Sequence, residues 1–283
     1  MIPFLQSIQP FEYDPCGRIL FGAGAIERLG SVIAARQPGQ VLLVTDPGVR
    51  ATGLVDTATA AAAATGAGVA VFDEVEANPT TCHVEAGRVF AAANIPDLIV
   101  AVGGGSAMDC AKGINFLLTN GGVMEDYWGL DKATRPMLPS IGIPTTAGTG
   151  SEAQSYALIA QADSHRKMAC GDRKARFGTV ILDPDTLTSV PPAVAATSGL
   201  DAVAHALETY VSTRRNPMSQ LFSREAWRLL DANLEPYLAD PAREPSRAGM
   251  MLGAFLAGQA IEASMLGAAH ACANPLSAGF GVD

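Results

Sequence analysis

The chain has 283 residues, 48% of them hydrophobic and 17% charged, which is ample material for a core in two domains or one large one. The formal net charge is -9, from 28 acidic and 19 basic residues, and no run of Lys and Arg exceeds two or three. A nucleic-acid or anionic-membrane surface is therefore not expected, and an anionic ligand would be met mainly by backbone N–H groups.

The start, Met1-Ile2-Pro3-Phe4, lacks the basic n-region of a signal peptide, and no apolar run is long enough to span a bilayer. Five dispersed cysteines (Cys16, Cys82, Cys110, Cys170, Cys272) with no C-x-x-C pair read as reduced thiols of a cytoplasmic protein.

In chain order, Arg18–Gly22 predicts a short strand and Ala25–Arg36 a helix. Gly22-Ala23-Gly24 between them is the first half of a dinucleotide fingerprint, but Glu27 stands where the third glycine belongs, so it reads as a turn. Gln40–Thr45 is apolar and β-branched, as buried parallel strands are. Asp46 at its C-terminal end either accepts hydrogen bonds from an adenosine ribose or is a turn residue ahead of Pro47-Gly48. Spacing leaves both open. A helix over 53–66, a strand over Gly68–Phe72 and a helix over 81–93 follow, the last capped by Thr80.

Asp97–Val102 is another buried strand, and it runs directly into Gly103-Gly104-Gly105-Ser106 and a helix over Ala107–Leu118. Strand, glycine loop and helix N-terminus make the geometry that holds phosphates, with Ser106 as a cap or a hydroxyl contact. A plain tight turn is the alternative, but three consecutive glycines are costly in backbone entropy, which favours the phosphate loop.

After a polar loop (120–135) and a strand over Leu138–Ile143 comes Pro144-Thr145-Thr146-Ala147-Gly148-Thr149-Gly150-Ser151-Glu152, rich enough in hydroxyls to form a second wall of a ligand cleft. It lacks the lysine of a P-loop, and neither Ser106 nor Ser151 sits in a G-x-S-x-G elbow, so nucleotide triphosphate hydrolysis and serine-hydrolase chemistry are both disfavoured. Tyr156–Gln161 and Lys167–Cys170 pair as a hairpin, and Thr179–Leu182 is the last strand.

Beyond Pro191-Pro192 strand patterns give way to helices over 193–212, 218–239 and 246–264. The expected architecture is an α/β unit with a parallel sheet over residues 1–191, followed by an all-α unit over 192–283. In the first of these helices Asp201 and His205 are four apart, so they share a face and can grip one divalent cation. A bridging surface pair is the alternative. Apolar neighbours on nearly all sides predict that this helix is buried, and His270 in a later Gly/Ala-rich stretch is a third candidate ligand.

Taken together, Gly103-Gly104-Gly105-Ser106-Ala107-Met108-Asp109, the Pro144–Glu152 segment, Leu182-Asp183-Pro184, Gly199-Leu200-Asp201-Ala202 with His205-Ala206-Leu207-Glu208, and His270 resemble the iron-containing (group III) alcohol dehydrogenases, in order from Arg18 to Asp283. The resemblance implies a nucleotide-binding α/β domain, a helical domain, and an active site in the cleft between them. It implies NAD-dependent, metal-assisted interconversion of an alcohol and an aldehyde or ketone. NADP is disfavoured because Asp46 would meet the ribose. Gly104, Gly105 and Ser106 would hold the pyrophosphate, Asn78, Thr145, Thr146, Lys167 and Leu182 would line the cofactor groove, and Gly103, Asp109 and Thr149 complete the cofactor-binding set. Asp201, His205 and His270 would be the metal ligands and the catalytic centre, holding Fe²⁺ or Zn²⁺ as a Lewis acid while nicotinamide exchanges hydride.

Asn274 departs from the histidine that many relatives carry four residues after His270, which puts a proton relay there in doubt. A fourth ligand histidine would fall just after Asp283, followed by further helices. A chain ending at Asp283 is thus expected to offer three protein ligands and to have an empty or partly occupied metal site with low activity, unless it is a fragment of a longer chain or a second copy covers the gap. The resemblance also implies a small alcohol or aldehyde as substrate and a homodimer or higher homo-oligomer, with which the apolar start Ile2-Pro3-Phe4-Leu5 is compatible. Runner-up readings are a specialised family reductase, of the hydroxy acid or maleylacetate type, and a truncated, catalytically weak cofactor-binding chain.

Overall fold

The computed structural model describes residues 10–15 and 17–280. Cys16 and the Ile2–Leu5 segment lie outside the described residues.

The elements run β1 (Arg18–Phe21), α1 (Leu29–Ala34), β2 (Gln40–Val44), α2 (Pro47–Arg50), α3 (Leu54–Ala63), β3 (Gly68–Phe72), α4 (Thr81–Asn94), β4 (Leu98–Gly103), α5 (Gly105–Asn120), β5 (Gly129–Leu130), β6 (Ser140–Pro144), β7 (Tyr156–Ala160), β8 (Lys167–Gly171) and β9 (Thr179–Leu182). Four helices follow: α6 (Pro192–Val211), α7 (Pro217–Ala239), α8 (Glu244–Ser264) and α9 (Ala268–Phe280). The helix expected over Ala25–Arg36 opens as a 3₁₀ turn, Ala25–Arg28, before α1.

Six strands form one parallel sheet in the order β1-β9-β6-β4-β2-β3. The interior strands β4, β6 and β9 are buried at every residue, whereas the edge strands β1 and β3 are only partly covered. This is why the interior strands read as continuous apolar runs. Alternate residues feed two cores. Leu42, Val44, Ile99 and Ala101 pack with α4 and α5, while Val41, Leu43, Leu98 and Val100 pack with α1 and α3 on the opposite face. A second, three-stranded sheet holds the β7–β8 hairpin, antiparallel, with β5 alongside.

From β2 the chain steps to β3 on one side, then crosses back to β4 on the other. The crevice beyond the carboxyl ends of β2 and β4 is therefore the topological switch point, the place where open α/β sheets bind ligands. The helices α6, α7 and α8 pack on one another, and residues of all three join the α5-side core. The α/β unit followed by helices is the architecture expected. Among the described residues no single helix is long and apolar enough to cross a membrane.

One local expectation is corrected. The α6 helix is not apolar-covered all round: Leu200, Leu207 and Val211 are 60%, 48% and 68% exposed. Asp201, His205 and Glu208 take the inward face, so residues on the other side of the same helix turn outward.

Candidate active site

Asp46 ends β2 and Gly103 ends β4, and the two meet at the switch point. A Cβ placed on Gly103 would lie 3.2 Å from Asp46 Oδ2 and 2.6 Å from the Ala107 Cβ. Gly103 has φ +157, in the region that favours glycine. The turn reading of Asp46 is seen directly, and its place at the cleft leaves the ribose reading open. It is the N-cap of α2, accepting from the Val49 N–H at 2.9 Å, and it also lines the cleft.

That cleft, about 620 Å³, is bounded by Asp46, Val49, Thr52 and Glu76 on one side and by Gly104, Gly105 and Ser106 at the start of α5. Thr145, Thr146 and Thr149 form the second wall, and Val194 and Ser198 of α6 close it. The volume lies in the range that small-molecule sites occupy. A smaller pocket of about 110 Å³ shares Gly105, Ser106 and Thr149 with it and continues past Asn78, Asp109, Ser151, Gln154, Tyr156 and Lys167.

The walls are close-set. A Cβ on Gly104 would come within 3.2 Å of Thr146 Oγ1, and one on Gly105 within 2.5 Å of Thr149 Oγ1. Any side chain at Gly105 would therefore displace Thr149. Ser106 is in the first turn of α5 rather than at its cap, which is Gly104, and its Oγ accepts the Asn78 N–H at 3.3 Å. Leu182 is fully buried in β9 with its side chain in the core, so any part it takes in the groove would be through its backbone.

The second wall is pinned from the helical side. Gly150 (φ +61) and Gly258 of α8 touch, a Cβ on Gly258 falling 2.5 Å from the Gly150 carbonyl oxygen. Gln259 donates to the Ala153 carbonyl at 2.8 Å, and Glu262 accepts from the Ser155 N–H and Oγ at 2.9 and 3.0 Å.

Two turns beyond the cleft-lining Val194 and Ser198, α6 presents Asp201 and His205; His270 arrives from α9. Asp201 Oδ1, His205 Nε2 and His270 Nε2 form a triangle with edges of 3.0, 3.2 and 3.2 Å. Edges of this length suit ligands about 2.0–2.2 Å from one cation. Two imidazoles and one carboxylate are the facial set of non-haem Fe²⁺ sites, and Zn²⁺ accepts the same donors.

Electrostatics fit that use. Burial, opposed by the Asp201 charge, holds His205 below the ordinary histidine value and therefore neutral and able to ligate. Burial raises Asp201, but the His270 hydrogen bond and the two imidazoles outweigh it and leave the carboxyl low. His270 is raised, first by its bond to Asp201 and then by Glu208. The Gly148 backbone, hydrogen-bonded to the ring, counters part of the drop at His205, while Nε2 faces Asp201 and His270.

The residue that sequence reasoning passed over is Glu208. Its Oε2 lies 2.6 Å from His270 Nδ1, and Oε1 accepts the Ala269 N–H at 2.5 Å. It fixes the imidazole through its far nitrogen, as outer carboxylates of metal sites do. The signal was present: Asp201, His205 and Glu208 stand at i, i+4 and i+7, one helical face. Asn274 is exposed and takes no place at the triad; His83 caps α4 by accepting the Thr80 N–H, and His165 sits in the β7–β8 turn.

Residues 16–184 match the family described as iron-containing alcohol dehydrogenase, and residues 195–283 match the Fe-containing alcohol dehydrogenase family, C-terminal. Alcohol dehydrogenase 4 of Schizosaccharomyces pombe is 38% identical over 263 residues, which are 93% of this chain and 62% of that protein. A solved 1,3-propanediol oxidoreductase is 33% identical with a TM-score of 0.93, covering 97% of this chain and 72% of its own. Sulfoacetaldehyde reductase from Bifidobacterium kashiwanohense, solved in complex with NAD+, is 27% identical with a TM-score of 0.88, covering 97% and 73%.

Proposed function

The chain belongs to the iron-containing alcohol dehydrogenase family, and from that premise we propose that it is an NAD-dependent, metal-assisted oxidoreductase interconverting a small alcohol and its aldehyde or ketone. The observation that carries this reading is the sharing of one helix. Val194 and Ser198 of α6 line the nucleotide-sized cleft, and Asp201 and His205 follow on the next two turns. A dinucleotide running from this cleft into the adjoining smaller pocket, which Lys167 borders, would end within reach of the triad.

Asp46 would accept from the adenosine ribose hydroxyls and repel a 2′-phosphate, which favours NAD over NADP. The N–H groups at the start of α5, with Gly104, Gly105 and Ser106, would hold the pyrophosphate. Asn78, Thr149 and Lys167 would border the nicotinamide side, Lys167 within electrostatic reach of Asp201. Asp201, His205 and His270 would hold Fe²⁺ or Zn²⁺, with Glu208 orienting His270. When bound, the cation supplies Lewis acidity toward an alcohol or carbonyl oxygen and the nicotinamide supplies hydride exchange. His205, kept neutral by burial, has one ring nitrogen without a proton for that role.

The proposal treats residues 1–191 as the nucleotide-binding unit and 192–283 as the helical unit carrying the triad. It places the protein in the cytoplasm, where the exposed thiols Cys82 and Cys272 stay reduced. It also assigns a homo-oligomer, for which the outer edge of β1, unpaired among the described residues and with Ile19 and Phe21 exposed, offers a surface.

The test is steady-state NADH formation with Fe²⁺ or Zn²⁺ across short alcohols, diols and hydroxy acids. Turnover of primary alcohols or diols is expected. Turnover of hydroxy acids alone would favour a specialised reductase, and NADH binding with no turnover on any of them would contradict the dehydrogenase reading.

A further inference from the structure

We propose that Lys112, in the middle of α5, is a positioning residue that fixes the wall of the smaller pocket and through it the nicotinamide half of the dinucleotide. The proposal rests on the dinucleotide reading of the cleft.

Lys112 is buried, its side chain 1% exposed. Its Nζ donates to the Ser151 carbonyl at 2.7 Å, to Ser151 Oγ at 2.9 Å and to the Tyr156 carbonyl at 2.6 Å. An ammonium has three donors, and here each has one acceptor. Ser151 Oγ in turn donates to Asp109 Oδ1 at 2.5 Å, with Asp109 3.8 Å from the ammonium. The Phe177 ring lies 5.5 Å away. Burying an ammonium is costly even when it is paired, and an apolar side chain in its place would leave the two carbonyls and Asp109 without their partner. What an apolar side chain cannot do is hold two carbonyls and a hydroxyl of one wall in a single arrangement.

That wall belongs to the smaller pocket. Ser151 and Tyr156, the residues Lys112 grips, line it, and so does Asp109; none of the three lines the larger cleft. Gly105, Ser106 and Thr149 border both cavities, so a pyrophosphate on the glycine loop sits at their junction. Asp46 and Val49 border only the larger one. The adenosine half therefore lies in the larger cleft and the nicotinamide half in the smaller pocket. The same helix presents the phosphate loop at its start and clamps the opposite wall two turns later.

The experiment compares two ligands by calorimetry, NADH and ADP-ribose, on the full chain. The unmodified protein binds both. Lys112→Met weakens NADH binding about tenfold or more and changes ADP-ribose binding less than about twofold. A residue that served the fold alone would weaken both ligands alike. Should Lys112→Met give no cooperative melt, Ser151→Ala carries the test with the same selectivity and a smaller loss, about threefold to fivefold. A folded variant that binds NADH as the unmodified protein does, or that loses both ligands equally, overturns the proposal. Failure of the unmodified protein to bind NADH would instead overturn the dinucleotide reading, and this proposal with it.

Discussion

The glycine-loop cleft and the three-ligand triad are held in place by different means. The cleft is built from backbone: strand ends, a helix N-terminus, and a second wall wedged between α5 and α8 by glycine contacts and buried hydrogen bonds. The triad is built from side-chain charge. Two of its members stand one turn apart on α6, but the third comes from α9, whose residues from Ala271 to Leu276 are all exposed. His270 is kept in position chiefly by Asp201 and Glu208 rather than by the packing of its helix. A nucleotide site of the first kind is preorganised by the fold, whereas a site of the second kind depends on its counter-charges. Damage to the two should therefore read out differently, as stability and shape in one and as cation affinity and pH in the other.

The largest effect is expected on the cleft side. Lys112→Met leaves the buried Asp109 carboxylate without its cation, which should cost about 3–5 kcal/mol of unfolding free energy. Urea denaturation checks it, and a loss under about 1 kcal/mol would mean that the pair is not ionised.

On the triad side, Glu208→Gln should leave the fold intact and weaken Zn²⁺ or Fe²⁺ binding about 10- to 100-fold. The pH dependence sharpens this. Ligands must be deprotonated to hold a cation, and His270 is raised above the ordinary value of about 6.5 by Asp201 and Glu208. As pH falls through that raised value, protons displace the cation, so affinity drops toward acid. Glu208→Gln removes one of the two carboxylates that retain the proton, so the drop should begin at lower pH even though the plateau is weaker. Cation titrations at several pH values would show both changes, and a midpoint that does not move would separate Glu208 from His270.

The smallest effect concerns Asp46, where cap and specificity roles coincide. Asparagine caps about as well as aspartate, so Asp46→Asn should leave stability within about 0.5 kcal/mol while relaxing the NAD preference about tenfold. Relative NAD and NADP affinities measure it. An unchanged preference would leave Asp46 as a cap alone.

The two regions also differed in how much of them could be read in advance. Interior strands such as β4 announce themselves because a parallel strand covered on both faces must be apolar throughout, and the glycines after it mark a close approach. Asp201 and His205 were legible from a four-residue spacing on one helix. What was not legible depends on contacts distant in sequence. Lys112 looked like an ordinary polar position of a helix and Asp109 was singled out only through the resemblance; the fold alone brings Ser151, 39 residues beyond Lys112, against them. The outward turn of Leu200 and Leu207 was missed for a related reason. Their sequence neighbours are apolar, but burial is set by which elements pack on that face.

The most direct test of the account is a paired measurement on His205→Ala: bound cation and alcohol turnover on one side, NADH affinity on the other. If the triad holds the cation and the cleft holds the nucleotide independently, the substitution should abolish stoichiometric Fe²⁺ or Zn²⁺ and metal-dependent NADH formation while NADH binding stays within about twofold of the unmodified protein. Retained metal and retained turnover in His205→Ala would contradict the account at its centre.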